Sequence, residues 1–423
     1  MVHAYQKTVL PNGLRIVTAT VPYAYSVAVS VYIGAGSRYE EDAEAGISHF
    51  VEHMCFKGTE TLPTALDIAE VVDAIGGHLN GGTDRELTVF YAKVASNHFS
   101  MALRLLLDLV SCPLFDPREM EKERRVILEE LASVEDSPPQ LAFLLADSAL
   151  WPDNPLGRDV AGTRESVEAI TREQALAYLR RQYVASNMVV AVAGRIDHQE
   201  VVDAVWQWAG RWPAGQPGRW IPARNGAGPR VRLRYKETEQ AHICLVAHGL
   251  PLNHPDRYAL GLLSVVLGEG MSSRLFLELR EKRGLVYEVH SSVNQFLDAG
   301  ALSIYAATDP DQADEVVALV LEELERLRSQ GLAETELNRA RELAKGRLLL
   351  RLEDTRSLSG WLGGQELLLG SVRTPEEVLA SMEAVTPEDV QRLAGQLLRP
   401  EDLRLALVGP FRSEGRFASL LGA

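Results

Sequence analysis

Residues 213 to 230, PAGQPGRWIPARNGAGPR, interrupt the chain near its midpoint with four prolines and four glycines and no sustained hydrophobic period. Proline fixes φ and lacks a backbone donor, and glycine is the residue most costly to order, so the stretch extends neither helix nor strand. It reads as a linker. The chain's 423 residues also exceed what a single hydrophobic core usually organises. The two sides repeat one order of elements. Before the linker, TVLPNGLRIVTAT reads as two extended segments around Pro11-Asn12-Gly13, and SVAVSVYIGAG as an alternating strand. Helical patterns follow, then LTVFYAKV as a strand, then long helices. After the linker, VRLRYKE and AHICLVAHGL are extended, helices follow, ALSIYAAT is a strand, and helices return. Residues 115 to 131, FDPREMEKERRVILEEL, lie without gaps over residues 332 to 348, LAETELNRARELAKGRL, in one helical phase. Strands and helices mix without strict alternation, which predicts the α+β class. We expect two homologous domains, 1–212 and 231–423, each an antiparallel-rich sheet backed by helices, with 213–230 between them.

Cysteine and charge narrow the function classes. The three cysteines, Cys55, Cys112 and Cys244, form no CxxC pair, so neither a disulfide framework nor a thiolate zinc knuckle is indicated. The N-terminus lacks a basic start followed by an apolar run, and no apolar stretch approaches the ~20 residues of a membrane span. The expectation is a cytoplasmic protein with no membrane partner. A net charge of -15 argues against nucleic acid.

The stretch GISHFVEHMCFKGT, residues 46 to 59, raises a chemical question. If residues 43 to 57 are helical, His49 and His53 stand one turn apart on one face, with Glu52 between them. Ile47, Phe50, Val51 and Met54 form an apolar stripe on the other side. The polar face then either meets water or meets a metal. Two imidazoles at i, i+4 can both offer a nitrogen to one zinc, leaving room for a third protein ligand and a water. A carboxylate beside them can reach that water, whose pKa zinc lowers to ~7, and act as general base. A third ligand is still required.

Residues 116 to 134 open with Asp116-Pro117-Arg118-Glu119, a capping box with proline at the first helical position. Met120, Ile127, Leu131 and Val134 make the apolar face, and Glu123 and Glu130 fall on that face, two turns apart. Glu129 points to the opposite side. Carboxylates in an apolar stripe are costly unless paired or bound to a metal. Glu130 is therefore the better inward ligand, unless both glutamates lie at the stripe's edge and meet arginines.

HFVEH followed by the glutamate pair of EKERRVILEE closely resembles the inverzincin metallopeptidases: pitrilysin, insulin-degrading enzyme and mitochondrial processing peptidase. The resemblance implies one zinc per chain, held by His49, His53 and Glu130, with Glu52 as catalytic base and Glu123 as the supporting carboxylate. GGHLNGGTDRELTVFY, residues 76 to 91, is similar to the family's substrate-binding edge strand. That similarity gives Asn80 and Gly81 substrate-binding roles, with Gly81 where the family usually has alanine. His78 reads as a loop histidine. GEGMSSRLFLELREKRGLVYEVHSS is no phosphate loop, since no GK[ST] follows. Its R-x-x-x-G-L-x-Y resembles the family's Arg-Tyr pair, here Arg280 and Tyr287, which would hold a peptide carbonyl and an oxyanion. In the duplicated register Glu123 and Glu130 overlie Ala340 and Arg347, so the second half keeps the fold without the metal.

The short two-domain bacterial type that the chain resembles forms half of a clamshell chamber. That implies a zinc endopeptidase acting on peptides or extended segments, as a homodimer or as a heterodimer with a related chain. Two rival expectations remain open: a structural or chaperone-like subunit of the same fold, and a subunit active only in a heterodimer.

Overall fold

The computed structural model describes residues 5–224, 226 and 228–422, so positions 225 and 227 of the expected linker lie outside the described residues. β1 (Tyr5–Val9), β2 (Arg15–Thr20), β3 (Ser26–Ile33), β4 (His78–Thr83), β5 (Thr88–Ala95) and β6 (Met188–Gly194) build one sheet in the order β1-β2-β6-β3-β5-β4. β7 (Val231–Tyr235), β8 (Ala241–His248), β9 (Val286–Gln295), β10 (Gly300–Thr308) and β11 (Arg404–Gly409) build another, in the order β7-β11-β8-β10-β9. Each sheet has one parallel pair, β2 with β6 and β7 with β11, and the remaining pairs are antiparallel. From β2 onward the two orders correspond strand for strand, with the parallel pair in the same place. The duplication suspected from 115–131 over 332–348 is thus present in the topology. It also shows in the helices: Pro117–Asp136 and Glu334–Leu352 begin at equivalent positions of that register.

Burial explains the chain path. β3 and β6 are apolar along almost their whole length because both faces of the sheet are covered. On one face Val27, Val29, Val31, Val190 and Val192 join a core with the helices Ile47–Cys55 and Phe99–Ser111. On the other face Val17, Tyr32, Val189, Ala191 and Ala193 pack against Leu358 and Leu362. Those two leucines lie on the helix Thr355–Leu369, which comes from the far half of the chain. The second sheet is covered in the same manner: Cys244, Val246, Ala406 and Val408 pack on Leu141, Ala142, Ala146 and Leu150 of the helix Pro138–Leu150.

The compact units therefore differ from the expected 1–212 and 231–423. One unit comprises Met1–Leu131, Asp159–Ile221 and Leu348–Glu376; the other comprises Ala132–Arg158, Pro222–Arg347 and Glu377–Ala423. Each half of the chain supplies a helix to the other half's sheet, because a sheet that is apolar on both faces needs a second layer of helix. Among the described residues no helix is long and apolar enough to cross a membrane.

The exchanged helix Thr355–Leu369 depends on a glycine. A Cβ at Gly363 would lie 2.3 Å from the Tyr32 ring and 2.9 Å from the Ala191 side chain. Gly363→Ala would gain about 1 kcal/mol of helix propensity. Overpacking against a buried ring costs about 1–3 kcal/mol and here sits at the upper end, because ring and strand have no room to yield. A net loss of stability is expected, read as a lower midpoint of thermal unfolding. An unchanged or higher midpoint would show that the helix does not sit on Tyr32.

Candidate metal centre

The helix Ile47–Cys55 starts later than the 43–57 expected from the sequence. Gly46 has φ 90, a left-handed conformation outside the helix, and a Cβ there would stand 2.3 Å from the Ala161 carbonyl oxygen. The buried Glu40 carboxylate caps the start, accepting hydrogen bonds from the Gly46 N–H (2.9 Å) and the Ser48 N–H (2.8 Å). An anion at a helix N-terminus also complements the macrodipole. Ile47, Phe50, Val51 and Met54 are buried, as the periodicity predicts. Burying that stripe turns His49 and His53 toward the other side.

There the two Nε2 atoms stand 3.2 Å apart, and Glu130 Oε2 lies 3.7 Å from each. These three residues are the group found, among the described residues, whose ligand atoms could hold one metal ion. Two ligands about 2.1 Å from a tetrahedral zinc stand about 3.4 Å from each other, so the observed spacing fits one zinc. Protonation fits as well. His53 Nδ1 lies 3.0 Å from Glu123 Oε2, and a carboxylate only accepts, so Nδ1 carries the proton and the Nε2 lone pair faces the centre. Burial, and then the neighbouring His53, lower the pKa of His49 to about 4. His49 is therefore a neutral imidazole at pH 7, the form that ligates.

Glu130 rides on the helix Pro117–Asp136, whose start Asp116 Oδ1 caps by accepting from the Arg118 and Glu119 N–H groups at 2.8 and 3.2 Å. The sequence placed Glu123 and Glu130 alike on the apolar face. The structure separates them: the Glu123 residue is 5 % exposed, whereas the Glu130 side chain is 47 % exposed. Equal azimuth is not equal depth, since seven residues advance about 10 Å along the axis. Glu123 is held at both oxygens, by His53 and by Lys57 Nζ at 2.7 Å. Sequence reasoning missed Lys57, although it lies one turn beyond His53 and that spacing was the available signal.

Glu52 is 8 % exposed, and its Oε2 accepts a hydrogen bond from the Thr83 hydroxyl at 2.9 Å. Burial raises its pKa above the ordinary carboxylate range, opposed by the Thr83 hydrogen bond. Thr83 ends β4, an edge strand that among the described residues pairs with β5 alone. Asn80 is exposed on that strand and accepts the Gly81 N–H with its own Oδ1 at 2.8 Å. A Cβ at Gly81 would lie 2.9 Å from both Glu52 Oε1 and the Phe56 ring. His78 begins β4 and is not in a turn; it stacks on Tyr91 with centroids 6.0 Å apart, outside the His49/His53/Glu130 group.

In the other unit, the Arg280 guanidinium lies 5.3 Å from the centre of the Tyr287 ring and 5.0 Å from that of Phe276. The Tyr287 ring is not part of the core: the residue is 75 % exposed, on β9. These two residues are thus brought to one another and face solvent.

Residues 15–164 match the model of the insulinase family (peptidase family M16), and residues 169–343 match that of the peptidase M16 inactive domain. The chain is similar to an uncharacterized zinc protease of Mycobacterium leprae (strain TN), 40 % identical over 412 residues that span 96 % of this chain and 92 % of that protein. An uncharacterized zinc protease of Bacillus subtilis (strain 168) is 39 % identical over 399 residues, 94 % of this chain and 97 % of that protein. Among solved structures, a protease from Helicobacter pylori superposes with a TM-score of 0.88 at 22 % identity, covering 97 % of this chain and 100 % of the other. A peptidase M16 inactive domain from Pseudomonas fluorescens does so at 0.88 and 21 % identity, covering 97 % and 99 %. With relatives this similar along almost the whole chain, and with a His-His-Glu group spaced for a metal, the chain belongs to the insulinase family of peptidases, M16.

Proposed function

We propose that the chain is a zinc-dependent endopeptidase that hydrolyses peptides or extended polypeptide segments. The observation that carries this reading is the meeting of His49 Nε2, His53 Nε2 and the Glu130 carboxylate beside a buried Glu52 and an open strand edge. His49, His53 and Glu130 would hold the zinc. Bound there, zinc supplies Lewis acidity for the peptide carbonyl and water reactive near neutral pH. Glu52 takes a proton from the attacking water and returns it to the leaving amine, a role that a carboxylate of raised proton affinity suits. The free edge of β4 offers backbone donors and acceptors to an extended substrate, with Asn80 and Gly81 beside the reacting bond. Arg280 and Tyr287 keep the roles the family resemblance implies, a guanidinium on a peptide carbonyl and a phenol donating to a developing oxyanion.

Zinc content by elemental analysis, measured beside cleavage of an unstructured fluorogenic peptide, tests the reading. About one zinc per chain is expected, with cleavage lost to a chelator and restored by zinc. A chain that takes up no zinc and cleaves nothing is a scaffold of this fold, and the peptidase reading fails.

Glu123 supports the centre through His53 Nδ1. Glu123→Ala is expected to weaken zinc binding by about 10- to 100-fold, measured by competition with a chelating dye. Unchanged affinity would reduce Glu123 to a salt-bridge partner of Lys57.

A further inference from the structure

Strand β4 touches the proposed base directly. The Thr83 hydroxyl donates to Glu52 Oε2 at 2.9 Å, and the Thr83 oxygen in turn lies 3.4 Å from the buried Thr88 hydroxyl. Thr88 donates its one hydroxyl proton to the Ala35 carbonyl oxygen at 3.1 Å, just past the end of β3, so its approach to Thr83 is a packing contact. Thr83 and Thr88 face each other in the β4–β5 register, so the two hydroxyls are fixed by strand pairing and do not depend on a flexible loop. The other oxygen, Glu52 Oε1, occupies the space over Gly81 that a Cβ would crowd at 2.9 Å. One oxygen is therefore held by a hydroxyl, and among the described residues its twin has no such side-chain hydrogen bond.

We propose that Thr83 is a positioning residue for Glu52: its hydroxyl fixes Oε2, so that Oε1 is the oxygen presented to the proton transferred during peptide hydrolysis. The inference rests on the peptidase reading for its catalytic consequence. Its structural content, a carboxylate oriented by a strand hydroxyl, stands apart from it. A carboxylate on a glutamate has three side-chain torsions to settle, and one hydrogen bond from a rigid strand removes most of that freedom. The same strand offers its open edge to the substrate, so base and substrate backbone share one frame of reference. Nothing in the spacing of residues 52 and 83 announces this contact.

The test compares Thr83→Val, which keeps the shape and removes the donor, with Thr83→Ser, which keeps the donor. In the zinc-loaded full chain, Thr83→Val is expected to lower kcat about 10- to 100-fold with KM within about twofold and zinc content unchanged. Thr83→Ser is expected to recover most of that loss. In a Glu52→Gln background Thr83→Val should add almost nothing, since a residue acting through Glu52 has nothing left to position. Crystal structures of wild type and Thr83→Val supply the readout that does not depend on activity, and should show the Glu52 carboxylate turned away from its wild-type orientation. The proposal is overturned if the carboxylate keeps its orientation without the hydroxyl, if Thr83→Ser loses as much as Thr83→Val, or if KM alone changes. A wild-type chain without peptidase activity would sink the functional reading, and the carboxylate orientation would still decide whether Thr83 positions Glu52.

Discussion

Glu52→Gln is expected to lower kcat for an unstructured peptide by about 10²- to 10⁴-fold while the chain keeps its zinc. The substitution preserves shape and leaves the amide oxygen to accept from the Thr83 hydroxyl, which now holds it at 2.9 Å. It removes the one property at issue, a group that can take a proton. Zinc binding should persist because His49, His53 and Glu130 are untouched. Stability should not fall either: the carboxylate is buried, burial raises its pKa, and a neutral amide escapes that desolvation cost. Loss of turnover with full zinc content and an equal or higher unfolding midpoint separates a base from a structural glutamate. A variant that turns over within about threefold of wild type would remove Glu52 from the chemistry.

Glu130→Gln acts on the other half of the site. Two histidines on one helical turn make a poor zinc site alone, and the proposed third ligand stands on a different helix. Its loss should weaken zinc binding by at least about 100-fold, beyond the effect expected for the supporting Glu123. The zinc content of the purified variant should then fall from about one per chain to a small fraction after dialysis. The metal-free fold should be nearly unaffected, because the Glu130 side chain is 47 % exposed and its contacts with the two imidazoles, each at 3.7 Å, lie at that exposed site. Added zinc should raise the unfolding midpoint of wild type and not that of the variant, since a ligand stabilises only the state that binds it. Equal zinc in both proteins would show that another group completes the centre.

Much of this was legible in one dimension. Seven strands announced themselves by alternation or by apolar runs, β4 was legible only through the family resemblance, and β6, β9 and β11 were missed; the helix Pro117–Asp136 was announced by its Asp-Pro start. The helix Ile47–Cys55 was readable because period 3.6 puts Ile47, Phe50, Val51 and Met54 on one side and the histidines on the other. The glutamate pair was readable as expensive residues in an apolar stripe, although depth along the axis was not, and Glu130 came out exposed. Glycine context was equally opaque: that position 46 has no room for a side chain follows from the Ala161 carbonyl, over one hundred positions away in the chain.

Local periodicity, capping chemistry and turn residues act over a few positions, so the sequence by itself determined most of the elements, their repetition in two halves, and the residue types of the candidate centre. Burial acts over any separation along the chain. Only the tertiary structure decided that the helices Pro138–Leu150 and Thr355–Leu369 cover the sheets of the opposite halves, that the Glu130 carboxylate meets the two imidazoles in solvent-accessible space, and that Thr83 reaches Glu52. Each of these is a pairing between distant segments. The apolar and polar groups involved state what they need in the sequence, and the folded chain alone determines which partner satisfies them.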